Sequence, residues 1–136
     1  MSEEEPRECW VAWSPQESEV TRNGQPVRVR RGDILLFTTF RRVQEQGEVS
    51  FTAGYPFGPD HPVELTIGSN EFQLSVDGQW AFAATPQEDA RIIAALRTGS
   101  QAVLRGRSFR GTETRDTFSI FGSGAAIEEA RRRCVG

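Results

Sequence analysis

Apolar positions along this chain alternate with polar ones far more often than they recur at helical spacing. In Cys9–Trp13 the alternation sets Cys9, Val11 and Trp13 on one face of a strand. Val27–Arg31 alternates valine with arginine and reads as a strand with one wet face. Ile34–Phe40 is nearly continuously apolar, the pattern of a central strand buried on both faces at its start. Arg41–Gly47 reads as a loop and Val49–Ala53 as the next strand. Val63, Leu65 and Ile67 point inward from a further strand, with Glu64 and Thr66 outward. Phe72–Val76 and Gln79–Ala83 flank Asp77-Gly78, a hairpin signature, and Asn23-Gly24 is a second turn that calls for positive φ. Late in the chain Ala102–Ser108 and Asp116–Phe121 read as two strands joined by a polar turn at Arg110–Arg115.

Two segments break the alternation. Thr85-Pro86-Gln87-Glu88 opens a helix: Thr85 can cap, Pro86 suits the first helical position and Glu88 completes a capping box. Ile92, Ile93 and Leu96 give it one apolar side, and Gly99 fits a left-handed C-terminal residue. Ala125–Arg133 reads as a shorter helix with Ala126, Ala130 and Cys134 at four-residue spacing beside Ile127. About eight short strands, two helices and no βαβ alternation predict a mainly β fold. An antiparallel β-sandwich or partly closed barrel with two short peripheral helices fits best. Residues 1–8 are Glu-rich and read as a disordered leader to a single domain over 9–136.

Charge narrows the function classes. The net charge is −3, so no whole-chain field draws the protein to nucleic acid or anionic lipid. The basic–aromatic run Arg105–Arg110 is the best nucleic-acid-like patch, and it is short. All 16 basic residues are arginine, which excludes a lysine Schiff base. The clusters at Arg28, Arg30 and Arg31, at Arg41 and Arg42, and at Arg131–Arg133 read as solvated faces, with an anion site as the minor alternative for each. No apolar run is long enough for a transmembrane helix.

No catalytic constellation emerges. His61 is the only histidine, and no nucleophile elbow, P-loop, EF-hand or dinucleotide fingerprint accompanies it. Two distant cysteines with one histidine do not make a metal site. Cys9 and Cys134 are either two buried thiols or a pair. Glu113 and Asp116 are the one candidate carboxylate pair; the arginines beside them and a solvated turn argue against catalysis. Gly54–Pro62 is the main irregular segment, with three prolines. Its Tyr55 and Phe57 either staple the loop to the body or line a binding surface, and stapling is the favoured reading. No cofactor is called for.

Arg31-Gly32-Asp33-Ile34-Leu35-Leu36-Phe37, Gly54-Tyr55-Pro56-Phe57, Asp77-Gly78-Gln79-Trp80-Ala81-Phe82 and Ser108–Ser119, with Cys9-Trp10 and Cys134, occur in this order over nearly the whole chain. As a set they resemble the invasion-associated locus B family of proteobacteria. Phe121–Ala125 departs from that pattern, being less apolar than in relatives. The resemblance implies export to the periplasm or cell envelope. The chain opens on an acidic segment rather than a signal peptide, so a leader is expected to have been removed or to lie upstream. In an oxidising compartment a Cys9–Cys134 disulfide becomes the default. The resemblance carries over no catalytic or cofactor residues.

The reading that follows is a non-enzymatic envelope protein that binds a protein or surface component, possible host-cell association included. A small envelope-glycan hydrolase and a carbohydrate-binding module are the alternatives; for the latter, the tryptophans Trp10, Trp13 and Trp80 are assigned to the core. The candidate surface is the Tyr55–His61 loop with Phe57, and the Arg110–Arg115 turn with Thr112.

Overall fold

A computed structural model describes residues 8–41 and 44–135. Most of the proposed disordered leader lies outside these residues, but Glu8 does not: it opens the first strand. The strands are β1 (Glu8–Trp13), β2 (Glu17–Arg22), β3 (Gln25–Pro26), β4 (Leu35–Arg41), β5 (Gln44–Thr52), β6 (Val63–Ile67), β7 (Asn70–Asp77), β8 (Trp80–Phe82), β9 (Gln101–Arg107) and β10 (Thr112–Ser119). The helices are α1 (Pro86–Thr98) and α2 (Ser123–Val135).

All ten strands join one antiparallel sheet in the order β1-β4-β5-β8-β7-β6-β9-β10-β2-β3. The sheet curls into a half-barrel, the partly closed alternative of the fold expectation. At β7 the pairing changes hands: Asn70–Leu74 pair with β6 and Ser75–Asp77 with β8, so this strand carries the sheet around a corner. The concave side holds the core: Leu36, Phe40, Phe51, Leu65, Leu74, Leu104 and Phe118 from the strands are almost wholly buried. The apolar side of α1 (Ile92, Ile93, Leu96) and Ile127, Ala130 and Cys134 of α2 close over it. Helix α1 packs on β5, and α2 on β1 and β4.

Local chemistry explains most boundaries. Asn23 and Gly24 both take positive φ (53° and 78°), as the β2–β3 turn requires. In the β7–β8 hairpin Asp77 pairs with Trp80, so the loop is Gly78-Gln79 rather than Asp77-Gly78. Gly78 at φ 61° then occupies the first central position, where this kind of turn wants glycine. Thr85 caps α1 by accepting from the Glu88 N–H at 3.1 Å, while the Glu88 carboxylate turns to Arg91 instead of closing the box.

Several expectations are corrected. Val27–Arg31 is not a strand; the ladder beside β2 ends at Pro26. β4 alternates instead of being buried on both faces, since Leu36, Thr38 and Phe40 face the core and Leu35, Phe37 and Thr39 only partly. Strand β5 begins at Gln44, inside the segment read as a loop. Gly99 is extended (φ −82°), not left-handed. Its lack of a side chain matters for space, because a Cβ there would come within 2.7 Å of Ile67 Cγ2. Helix α2 starts two residues early, at Ser123, and turns Ala126 outward. Trp10 and Trp80 are not core residues: they are 57% and 44% exposed on the convex side. Trp13 is half-buried and donates its indole N–H to Ser123 Oγ at 3.0 Å, joining β1 to the start of α2.

Cys9 and Cys134 form a disulfide, with Cα atoms 5.8 Å apart. It ties the edge strand β1 to the end of α2.

Candidate functional site

The proline-rich segment after β5 cannot continue a ladder, so it folds back across one end of the half-barrel. Gly54 sits at φ 80° with its carbonyl accepting from the Gly32 N–H at 2.9 Å. Phe57 bridges to Ser108, and the Gly58 N–H donates to the Arg107 carbonyl at 2.9 Å. The Tyr55–His61 loop is thereby pinned to the connection between β9 and β10. The two stretches singled out from the sequence, 53 residues apart at Tyr55 and Ser108, are neighbours in space.

That connection is shorter than the polar turn read at Arg110–Arg115. Strand β10 already begins at Thr112, leaving Ser108–Gly111 as the turn. Ser108 organises it: its hydroxyl accepts from the N–H groups of Arg110 and Thr112, both at 3.2 Å. Gly111 at φ 86° supplies the left-handed residue. Alternation along β10 then buries Thr112, Thr114 and Asp116 and leaves Glu113 exposed. Glu113 and Asp116 therefore do not form a paired-carboxylate site. Asp116 is fully buried and held bidentately by Arg31, with both N–O distances 2.8 Å. The same guanidinium donates to the Ala53 carbonyl and lies over the Tyr55 ring, 5.4 Å from its centroid. Arg31 is thus a buried structural residue, in contrast to the solvated cluster expected for it.

On the other side of Tyr55 and Thr114 lies a recess of about 390 Å³, which neither member of this buried pair lines. It is lined by Arg22 from β2, Val29 and Arg30 from the irregular segment, Tyr55 and Pro56, and Ser108, Phe109, Arg110, Thr112 and Thr114. Phe109 projects from the turn, 63% exposed, with the Arg110 guanidinium 5.7 Å from its ring centroid. Tyr55 is half-buried, its hydroxyl 2.6 Å from Thr114 Oγ1. Burial pushes its pKa above the ordinary tyrosine value, against the pull of the Thr114 hydrogen bond and Arg31, so it stays a neutral phenol.

Of the proposed surface residues, Tyr55, Arg110 and Thr112 come together in this recess. Phe57 does not join them. It is 5% exposed, packed against Phe51 and edge-on to Tyr55, which makes it the staple. His61 lies on the far side of the turn, in a hollow with Asp60, Arg107 and Arg110, and also lines the groove that holds Arg115. Arg115 projects from the opposite face of the sheet beside Glu19, 3.8 Å away, in a groove of mixed charge with Arg105, Arg107, Glu64 and Glu113. Of the basic–aromatic run, Arg105 and Arg107 line this groove, and Arg107 also joins Phe109 and Arg110 around the turn. Arg22, Val29 and Arg30 were missed from the sequence as recess residues, because no local pattern shows that β2 pairs with β10, 90 positions away. Comparison with known proteins gives no match: no protein-family model, no curated protein and no solved structure matches this chain.

Proposed function

We propose that this chain is an exported, non-enzymatic binding module of the invasion-associated locus B type, which engages a protein or surface component of the cell envelope through the recess beside the β9–β10 turn. The observation that carries this reading is the recess itself. Two loops from distant parts of the chain are locked together by backbone hydrogen bonds, and they present an exposed aromatic and three arginines on a rigid rim. The disulfide between Cys9 and Cys134 supports the export part of the reading. The engagement of Asp116 by Arg31 weighs against hydrolysis by a Glu113–Asp116 pair.

The test is affinity capture from a crosslinked envelope extract, with the tagged protein as bait and a Phe109→Ala, Arg110→Gln double variant beside it. Both residues are exposed, so the variant should fold. A component captured by the parent and lost by the variant is the expected result. Equal capture by both would remove the recess from the reading.

A second reading, glycan binding, draws on a different feature. Trp80 and Phe82 are exposed on the convex face, with the Phe37 ring 6.0 Å from Trp80, a surface on which sugar rings can stack. Quenching of tryptophan fluorescence by envelope oligosaccharides, abolished in Trp80→Ala, would support it.

A further inference from the structure

The recess beside the β9–β10 turn combines an apolar part, Val29, Pro56 and Phe109, with side chains that carry hydrogen-bond donors. Arg22, Arg30 and Arg110 line it, and no carboxylate does. Several other arginines have acidic partners, Arg31 with Asp116, Arg41 with Glu8 and Glu48, Arg91 with Glu88 and Arg97 with Glu128, while Arg28, Arg105 and Arg107 have none among the described residues but do not line this recess. Among the described residues no carboxylate pairs with Arg22, Arg30 or Arg110.

The hydroxyls add to the surplus. Thr112 Oγ1 accepts from Nε and Nη2 of Arg22, at 3.2 and 2.6 Å. Ser108 Oγ accepts from two backbone N–H groups. A hydroxyl has two acceptor lone pairs, so each of these oxygens is saturated and has only its O–H left to give. Tyr55 and Thr114 share one hydrogen bond between two hydroxyls, which leaves one more hydrogen to place. Three guanidiniums, Arg22's with its Nη1 donors still free, and these hydroxyl hydrogens line one recess in which no carboxylate is found among the described residues.

We propose that this recess binds a phosphate monoester, with the phosphoryl group among Arg22, Arg30 and Arg110 and its organic body against Phe109, Val29 and Pro56. A planar carboxylate has two oxygens, which one or two guanidiniums satisfy. A tetrahedral dianion has three terminal oxygens and matches three forks arriving from separate elements. The ester body accounts for the apolar side of the rim, where Phe109 and Val29 stay exposed beside the arginines. The proposal rests on the reading of this recess as the protein's binding site and adds the chemistry of what it holds.

The test is titration of the purified protein by calorimetry with phenyl phosphate, benzoate and benzyl alcohol at low salt. Phenyl phosphate should bind saturably, weaken as salt rises, and bind at least about tenfold more tightly than benzoate, with benzyl alcohol inert. An Arg30→Gln, Arg110→Gln double variant should bind phenyl phosphate at least about tenfold more weakly, while Arg91→Gln on α1 leaves it unchanged. Melting temperatures confirm that the variants are folded. A second arm places the ester. Co-sedimentation with phosphatidylcholine vesicles containing phosphatidate, competed by phenyl phosphate, assigns it to a lipid headgroup. Saturable phenyl phosphate binding without co-sedimentation assigns it to a soluble ester. The proposal is overturned if phenyl phosphate fails to bind, if benzoate binds as well, or if the double variant binds unchanged. A component captured from the envelope through the same residues would in that case keep the binding module and remove only its phosphate ligand.

Discussion

At the scale of single residues, two buried carboxylates decide how this protein responds to change. Asp116 sits in the core face of β10 with only Arg31 to neutralise it. Removing one partner leaves an uncompensated buried charge, whereas removing both leaves a packing problem only. Arg31→Met is therefore expected to cost about 3–5 kcal/mol in chemical denaturation. Arg31→Met with Asp116→Leu should cost much less than the sum of the two single changes. Asp89, near the start of α1, is a different case. Strand β8 covers only Ser50–Thr52 of β5, and beyond its end the Val49 N–H donates to Asp89 Oδ1 at 2.9 Å. Burial pushes the Asp89 pKa up to about 6, opposed by the Val49 bond and helped by Glu48. Between the ordinary carboxylate range and pH 6 the folded protein keeps a proton that the unfolded chain has released. Stability from this group is therefore full below about pH 4 and falls as pH rises through 6, by on the order of 3 kcal/mol. The melting temperature should drop by several degrees more between pH 5 and 7 in the parent than in Asp89→Asn, which keeps the acceptor oxygen without the charge.

Elements meet at a few points where no side chain fits. The segment before β4 crosses the start of the proline-rich loop at Gly32 and Gly54. A Cβ on Gly54 would lie 2.6 Å from the Gly32 nitrogen and 2.7 Å from its carbonyl group, and backbone atoms cannot swing aside. Gly54 also has φ 80°. Gly54→Ala is expected to cost more than about 2 kcal/mol and to loosen the recess, since Tyr55 follows directly. Gly68→Ala is the control. Its φ of 61° is equally left-handed but a Cβ there meets nothing within 4 Å, so it should show only the conformational cost of about 1–2 kcal/mol. Elements with strong local signals were readable in advance. The strand Val63–Ile67 and the α1 start at Thr85-Pro86 match their patterns, because alternation, cap chemistry and Pro86 act within a few residues. The β10 boundary was misplaced because Thr112, Glu113 and Thr114 are polar. Polar residues in a row look like a turn until pairing with Arg22, Thr21 and Val20 of β2 makes them a strand.

For the molecule as a whole, the curl of the sheet leaves β1 at one edge, and the disulfide fastens that edge to α2. Cys9 and Cys134 are 125 positions apart, so the bond restricts almost the entire unfolded chain. The chain-entropy relation puts the upper figure at about 4–5 kcal/mol. Reduction of the purified protein is expected to lower its melting temperature by several degrees, and thiol titration of the native oxidised form should find no reactive cysteine. Two reactive thiols in the native protein would contradict the bond. The site belongs to this scale too. The rim of the recess needs β2, the 27–31 segment, the proline-rich loop and the β9–β10 turn brought to one end of the half-barrel, which requires strands distant in sequence to have paired.

The sequence by itself determined the mainly antiparallel β character, the position of α1, and, within the Tyr55–His61 and Arg110–Arg115 stretches, Tyr55, Arg110 and Thr112, which line the recess. These follow from period, capping and prolines, all of which act over short range. Only the tertiary structure decided that Asp116 is buried on Arg31, that Phe57 is core while Phe109 is surface, and that Arg22 and Arg30 join Arg110. Each of those outcomes depends on which strands become neighbours. Strand neighbours are chosen by burial summed over the sheet, and no local run of residues carries that information.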